Sequence, residues 1–298
     1  MNSVTPKKKN TIIFGTLLLF LVGISLILYF FNQLDLLLEK PLITLELWCE
    51  DQPCVPVTLF GYSFILIQPL STIIVYLLGL ITIGVGIYLL IKRDAQKSRS
   101  WWGLALIVWG MGTLLAGTSY QAFGYELKCA SNIYCEWTSL WEIFYLLLTV
   151  YSVNAMMMSQ VYSSSTGKWR KFQLWYAPIN AVLYSIILVI GSVLPVRFLI
   201  SFGTMVIFLV PSMLMFFINN TARYIKNKNR AELMQMWIWL GMAIVMGVYY
   251  LTAMLGLTET MWGRGIWFSD NDVLHIGLII WMIYIGITVK KHVVDLPQ

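Results

Sequence analysis

Apolar residues in this chain come in long unbroken runs rather than in alternation. Eight of them, bounded by charged or turn residues, extend over Thr11 to Phe31, Ser63 to Ile91, Trp101 to Phe123, Ser139 to Val161, Phe172 to Leu194, Arg197 to Asn219, Leu233 to Leu255 and Asp272 to Val289. Each reaches the length of about 17–25 residues that carries an α-helix across a bilayer. The pattern predicts an all-α polytopic membrane helix bundle of eight transmembrane helices, one leader and a seven-helix core. A different rhythm occurs once. Ile43 to Cys49 and Cys54 to Phe60 alternate on either side of Glu50, Asp51, Gln52 and Pro53, which predicts a small β-hairpin stapled by a disulfide. The whole chain, 1–298, reads as one integral membrane domain: a terminus over 1–10, the leader over 11–31, a loop over 32–62, the core over 63–289 and a second terminus over 290–298. The leader follows Lys7, Lys8 and Lys9 as a signal peptide would, but its apolar stretch is too long and no small-residue cleavage site follows.

Composition removes the soluble alternative. Hydrophobic residues make up 59% and charged residues 11%, where soluble domains carry about 25% charged residues. The net charge of +6 acquires its meaning from where the charges fall. With the N-terminus inside, 16 of the 20 basic residues lie on the inner side, and only Lys40, Lys128, Arg197 and Arg264 lie outside. Of the 14 acids, only Asp94, Glu232 and Asp295 are inside. That asymmetry follows the positive-inside rule and predicts cytoplasmic N- and C-termini in a plasma membrane or bacterial inner membrane. The basic excess is thus accounted for by the lipid bilayer as partner, with no nucleic acid involved.

The same map puts all four cysteines outside, as the close pairs Cys49 with Cys54 and Cys129 with Cys135, which suits two disulfides in an oxidising compartment. Trp101, Trp102, Trp169 and Trp175 fall near inner helix ends and Trp137, Trp141, Trp262 and Trp267 near outer ends, as interfacial anchors do. Met156, Met157 and Met158 read as apolar packing. Thr82 with Gly86, and Ala243 with Gly247, are small residues spaced for close helix approach. The glycosylation-type triplet Asn219, Asn220, Thr221 lies on the cytoplasmic side and reads as chance.

No Lys, Arg, Asp, Glu or His stands near the middle of any span, which speaks against proton relays, ion pathways and a retinal Schiff base. Pro178 and Pro211 interrupt their helices, and Asn154 and Asn180 are polar at depth, leaving room for a neutral substrate. Polar residues gather instead in the outer third of three helices. Ser119, Tyr120 and Gln121 close one; Glu142 lies one turn into the next; Asn271, Asp272 and His275 open the last. Glu142 and His275 are the candidate catalytic pair, and Ser119, Tyr120, Gln121, Asn271 and Asp272 the candidate pocket lining. The structural alternative is that Glu142 and His275 satisfy each other or loop groups while locking the bundle.

This arrangement resembles the superfamily of alkaline ceramidases and progestin and adiponectin receptors, a seven-helix fold. There, a Ser-x3-His ends the second core helix, an acid opens the third and His-x3-His opens the seventh, together holding a zinc that activates water for amide hydrolysis. His275 matches the last histidine and Glu142 the acid. Asn271 stands at the first histidine of the His-x3-His and Gln121 at the second-helix histidine, with Gly117 at its serine. In an alternative register Ser119 takes the serine and Phe123 the histidine. The resemblance implies a zinc cofactor with His275 as metal ligand. Three classes of function follow: a receptor for a lipid-like or apolar small molecule in an outward-facing polar pocket, a metal-dependent lipid amide or ester hydrolase, and a structural or complex-assembly subunit.

Overall fold

A computed structural model of the chain describes residues 31–50, 52–130 and 132–297 together with Val22, Ser25 and Tyr29. The predicted leader over 11–31 therefore lies, those residues apart, outside the described part. Among the described residues, seven helices are long and apolar enough to cross a membrane. They are α1 (Pro69–Ile91), α2 (Lys97–Ala116), α4 (Leu140–Ser163), α5 (Gly167–Val193), α6 (Phe202–Asn227), α7 (Arg230–Met254) and α9 (Asp270–His292); α3 (Gly124–Lys128) and α8 (Leu257–Trp262) are short. One end of the bundle carries both disulfides and is called the capped end; the other carries the Lys- and Arg-rich loops and is called the basic end.

The hairpin is present, but its strands are not those the alternation predicts. They are β1 (Cys54–Leu59) and β2 (Tyr62–Ile67), antiparallel with Leu59 opposite Tyr62. Phe60 and Gly61 both have positive φ, 50° and 82°, the geometry of a two-residue turn whose twist suits antiparallel strands. Ile43–Cys49 is not the partner strand: Thr44 pairs with Tyr134, and Leu47–Cys49 forms a 3₁₀ turn. Cys49–Cys54 thus staples that turn to the first residue of β1. The residues from Tyr62 to Ile67 belong to the sheet, so the first long helix starts later than predicted, at Pro69, a residue whose missing N–H costs nothing in a first helical turn.

Burying apolar side chains supplies little association energy inside lipid, so helices there depend on close packing. Two reciprocal glycine contacts provide it between α1 and α2. A Cβ on Gly86 would lie 2.7 Å from the Gly103 carbonyl oxygen, and one on Gly110 would lie 2.7 Å from that of Gly79. Toward the basic end, an aromatic chain links four helices: Trp109 of α2 meets Trp281 of α9 at 5.4 Å, Trp281 meets Trp239 of α7 at 6.4 Å, and Trp239 stacks on Phe216 of α6 at 4.3 Å. Met156 and Met157 are buried in this core, and so is Trp102, which is therefore no interfacial anchor. Toward the capped end, Leu34 and Leu37 pack with Ile143, Leu147, Tyr184 and Leu188 of α4 and α5.

The two disulfide loops form one cap. Glu39 N–H donates to the Cys135 carbonyl at 3.0 Å and Trp137 N–H to that of Leu37 at 2.7 Å, while Cys129–Cys135 closes the second loop. At the opposite end the C-terminal tail folds back. The Asp295 carboxylate accepts the backbone N–H groups of Lys97 and Ser98, at 2.7 and 2.9 Å, at the start of α2. There it satisfies donors that a helix start leaves free.

Candidate functional site

Glu142 occupies the third position of α4, where the capping residue Ser139 accepts its backbone N–H. The side chain is buried and nearly saturated. Its Oε1 accepts from Lys128 Nζ and from Ser119 Oγ, both at 2.8 Å, and its Oε2 from Thr138 Oγ1 at 3.1 Å. Ser119 reaches it because α2 runs on through a wider π-helical turn, Gly117–Ala122, in which Ser119 faces inward. Ser119 and Ser139 hydroxyls share a further bond of 2.7 Å. Lys128 Nζ also lies 5.6 Å from the Trp48 ring and 5.3 Å from the Tyr120 ring, which places an ammonium over two aromatic faces. The Tyr120 ring in turn meets Tyr145 edge-on at 6.2 Å. In the cap above, burial pushes the Glu39 carboxyl up, against the pull of Lys128 and Arg197.

The residues at the start of α9 are arranged differently. Asp272 closes a capping box: its Oδ2 accepts from Ser269 N–H at 2.7 Å and Ser269 Oγ–H at 3.0 Å, and its own N–H donates to Ser269 Oγ. Its Oδ1 is buried without a protein partner, as are His275 Nδ1, one turn further on, and Gln121 Oε1 at the end of α2. Asn271 is half-buried. The structure therefore gathers Ser119, Tyr120 and Glu142 around Lys128. No hydrogen bond among the described residues joins Glu142 to His275, Asn271 or Gln121. The helices concerned have different neighbours, since α4 packs chiefly on α2 and α5, and α9 on α1 and α7.

Sequence reasoning counted Lys128 as a loop charge beside Cys129 and missed its role. A signal existed in the sequence, because Lys128 is one of the four basic residues that the positive-inside pattern leaves on the outer side. The donor set does not suit zinc. Among the described residues no three His, Cys, Asp or Glu side chains are placed to share a metal ion, and Glu142 already accepts three hydrogen bonds.

A cleft of about 340 Å³ opens in the side of the bundle between α2, α4 and α5. It is lined by Trp101 and Leu104 of α2, Asn154 and Met158 of α4, and Leu174, Pro178 and Ala181 of α5. Asn154 is held in place: its Nδ2 donates to the Val150 carbonyl at 2.9 Å, and its Oδ1 accepts from Asn180 at 3.3 Å. Asn180 also donates to the Phe208 carbonyl at 3.2 Å. Pro178 has no N–H, so the helical acceptor four residues earlier, the Leu174 carbonyl, loses its usual donor beside the cleft.

Fold and site together define a helical bundle of the membrane-spanning kind, with a disulfide-bonded cap and a buried ion pair beneath it. Over residues 70–292 the chain matches the family described as "Family of unknown function (DUF6962)", and it belongs to that family. Neither the curated proteins nor the solved structures contain a match.

Proposed function

We propose that this protein binds an apolar, lipid-like small molecule, admitted sideways from the bilayer into the cleft between α2, α4 and α5. The cleft itself carries the reading. Its volume of about 340 Å³ falls within the 300–1,000 Å³ range of small-molecule pockets, and its apolar walls enclose a few fixed polar atoms, as such sites do. The outer cluster is the weaker host, because the Glu142 oxygens are already engaged by Lys128, Ser119 and Thr138. We place the protein in a plasma membrane or bacterial inner membrane with both termini cytoplasmic. The loops from Lys92 to Lys97, Lys168 to Lys171 and Arg223 to Arg230 at one end, and the cysteines at the other, support that orientation. The layout resemblance to the ceramidase and receptor superfamily supports the same ligand class.

Ala181 lines the cleft, is partly buried and stands outside the core cluster, so Ala181→Trp fills the space from a position the core does not include. Native mass spectrometry of the purified protein should show a retained lipid-like adduct that this variant loses while melting at the wild-type temperature. Equal adduct occupancy in the folded variant would refute the proposal.

A further inference from the structure

Between the basic ends of α4, α5, α6 and α7 the buried interior is polar, although none of it was evident in the sequence. Gln173 Nε2 donates to Gln160 Oε1 at 3.0 Å, and Gln160 Nε2 to the Phe216 carbonyl at 3.4 Å. Asn219 Nδ2 donates to the Ser164 carbonyl at 3.1 Å, and Ser164 Oγ to Gln235 Oε1 at 3.5 Å. Arg223 pairs with Glu232 through Glu232 Oε1. On the α6 face that meets these groups, Asn220 follows Phe216 by four residues and precedes Arg223 by three, so it lies between the Gln160 contact and the ion pair.

Asn220 is 0% exposed, yet neither its Oδ1 nor its Nδ2 has a protein partner. A carboxamide withdrawn from water with no hydrogen bond at all is strongly unfavourable. Such groups in native proteins are satisfied by ordered solvent or by a ligand. We infer that Asn220, flanked by Gln160 and the Arg223–Glu232 pair, is a binding site for a neutral hydroxyl-bearing molecule. The chemistry follows from the atoms. Asn220 offers a donor and an acceptor side by side, so its occupant both donates and accepts. Glu232 is neutralised by Arg223, so the site selects no charge. Water and the hydroxylated head of a lipid share that chemistry. Its residues come from α4, α6 and α7, and none of Gln160, Asn220, Arg223 and Glu232 lines the α2–α4–α5 cleft, so the site stands without it.

Two measurements on the full chain test this. A nanodisc cryo-EM map that resolves ordered solvent should show density within hydrogen-bonding distance of the Asn220 carboxamide. Separate rounded peaks identify water, and continuous density identifies a hydroxylated lipid head; no density there overturns the inference. Asn220→Leu keeps the side-chain size and removes both polar atoms. If the site is occupied, the variant loses its bridging bonds and melts lower by about 2–4 °C or more. If the carboxamide is bare, removing it relieves a penalty, and a melting temperature that is unchanged or raised contradicts the inference. Should the variant not fold, the map of the wild-type protein decides.

Discussion

The Lys128 ammonium lies 2.8 Å from the Glu142 carboxylate with side chains only 6% and 3% exposed, and this one contact ties the disulfide cap to the first turn of α4. A buried ion pair contributes less than its geometry suggests, because desolvation offsets the attraction, but removing one partner strands a charge. Lys128→Met or Glu142→Leu alone should destabilise the protein by about 3–5 kcal/mol, and the double variant by much less than the sum. Thermal unfolding of all four proteins of the cycle measures this. Additive losses would mean that the two charges do not depend on each other.

The cap itself should be separable from the bundle. Cys129–Cys135 closes a loop of a few residues, for which chain-entropy arguments give a stabilisation of about 2 kcal/mol. Replacing both cysteines by serine should leave the helix content intact by circular dichroism. It should raise hydrogen exchange in residues 37–44, which bond to that loop. Unchanged exchange there would show that the Leu34 and Leu37 packing alone holds the cap.

Glycine contacts predict a position-dependent effect along α1. Gly86 faces the backbone of α2 with no room for a Cβ, whereas Gly84 has nothing within 4 Å of the same position. Gly86→Val should lower the melting temperature sharply and Gly84→Val should not. Similar melting of the two variants would refute the close α1–α2 packing.

Acid should release the C-terminal tail. Burial opposes ionisation of Asp295, but hydrogen bonds from the start of α2 outweigh it and hold its carboxyl below the ordinary value. Asp94 is likewise lowered, first by Lys290 and then by Arg99. A carboxyl with a depressed folded-state pKa stabilises fully above its unfolded value, near 3.8, and the contribution is lost as pH falls through the folded value. Hydrogen exchange of residues 293–297 should therefore be flat between about pH 5 and 8 and rise below about pH 4. Asp295→Asn should show the raised exchange at neutral pH, whereas protection independent of pH would contradict the docking.

Much of this fold is legible in the sequence because a membrane helix announces itself through length and apolarity; the long runs, the polar depth of Asn154 and Asn180, and the close cysteine pairs all survive in the structure. What was hidden has physical reasons. The turn at Phe60 and Gly61 sits inside a stretch apolar enough to read as helix, so the hairpin slips by one strand. The π-helical turn that aims Ser119 at Glu142 changes no residue type. Lys128 lies against the ring of Trp48, distant in sequence, as well as that of Tyr120, and no local pattern shows the first of these contacts. The polar contacts of Gln160, Gln173, Asn219 and Glu232 join residues of four helices, which no periodicity along a single helix reveals.

Lateral binding of a lipid-like molecule in the α2–α4–α5 cleft is open to photo-crosslinking. The wild-type protein in nanodiscs would be irradiated with a diazirine-bearing fatty acid, and the adducts mapped by peptide mass spectrometry. A lipid-like molecule held in the cleft should concentrate labelling on the segments around Met158, Leu174 and Ala181, and Ala181→Trp should abolish it. Labelling spread evenly over lipid-exposed positions such as Ile244 and Leu251 of α7, with no excess at the cleft, would contradict it.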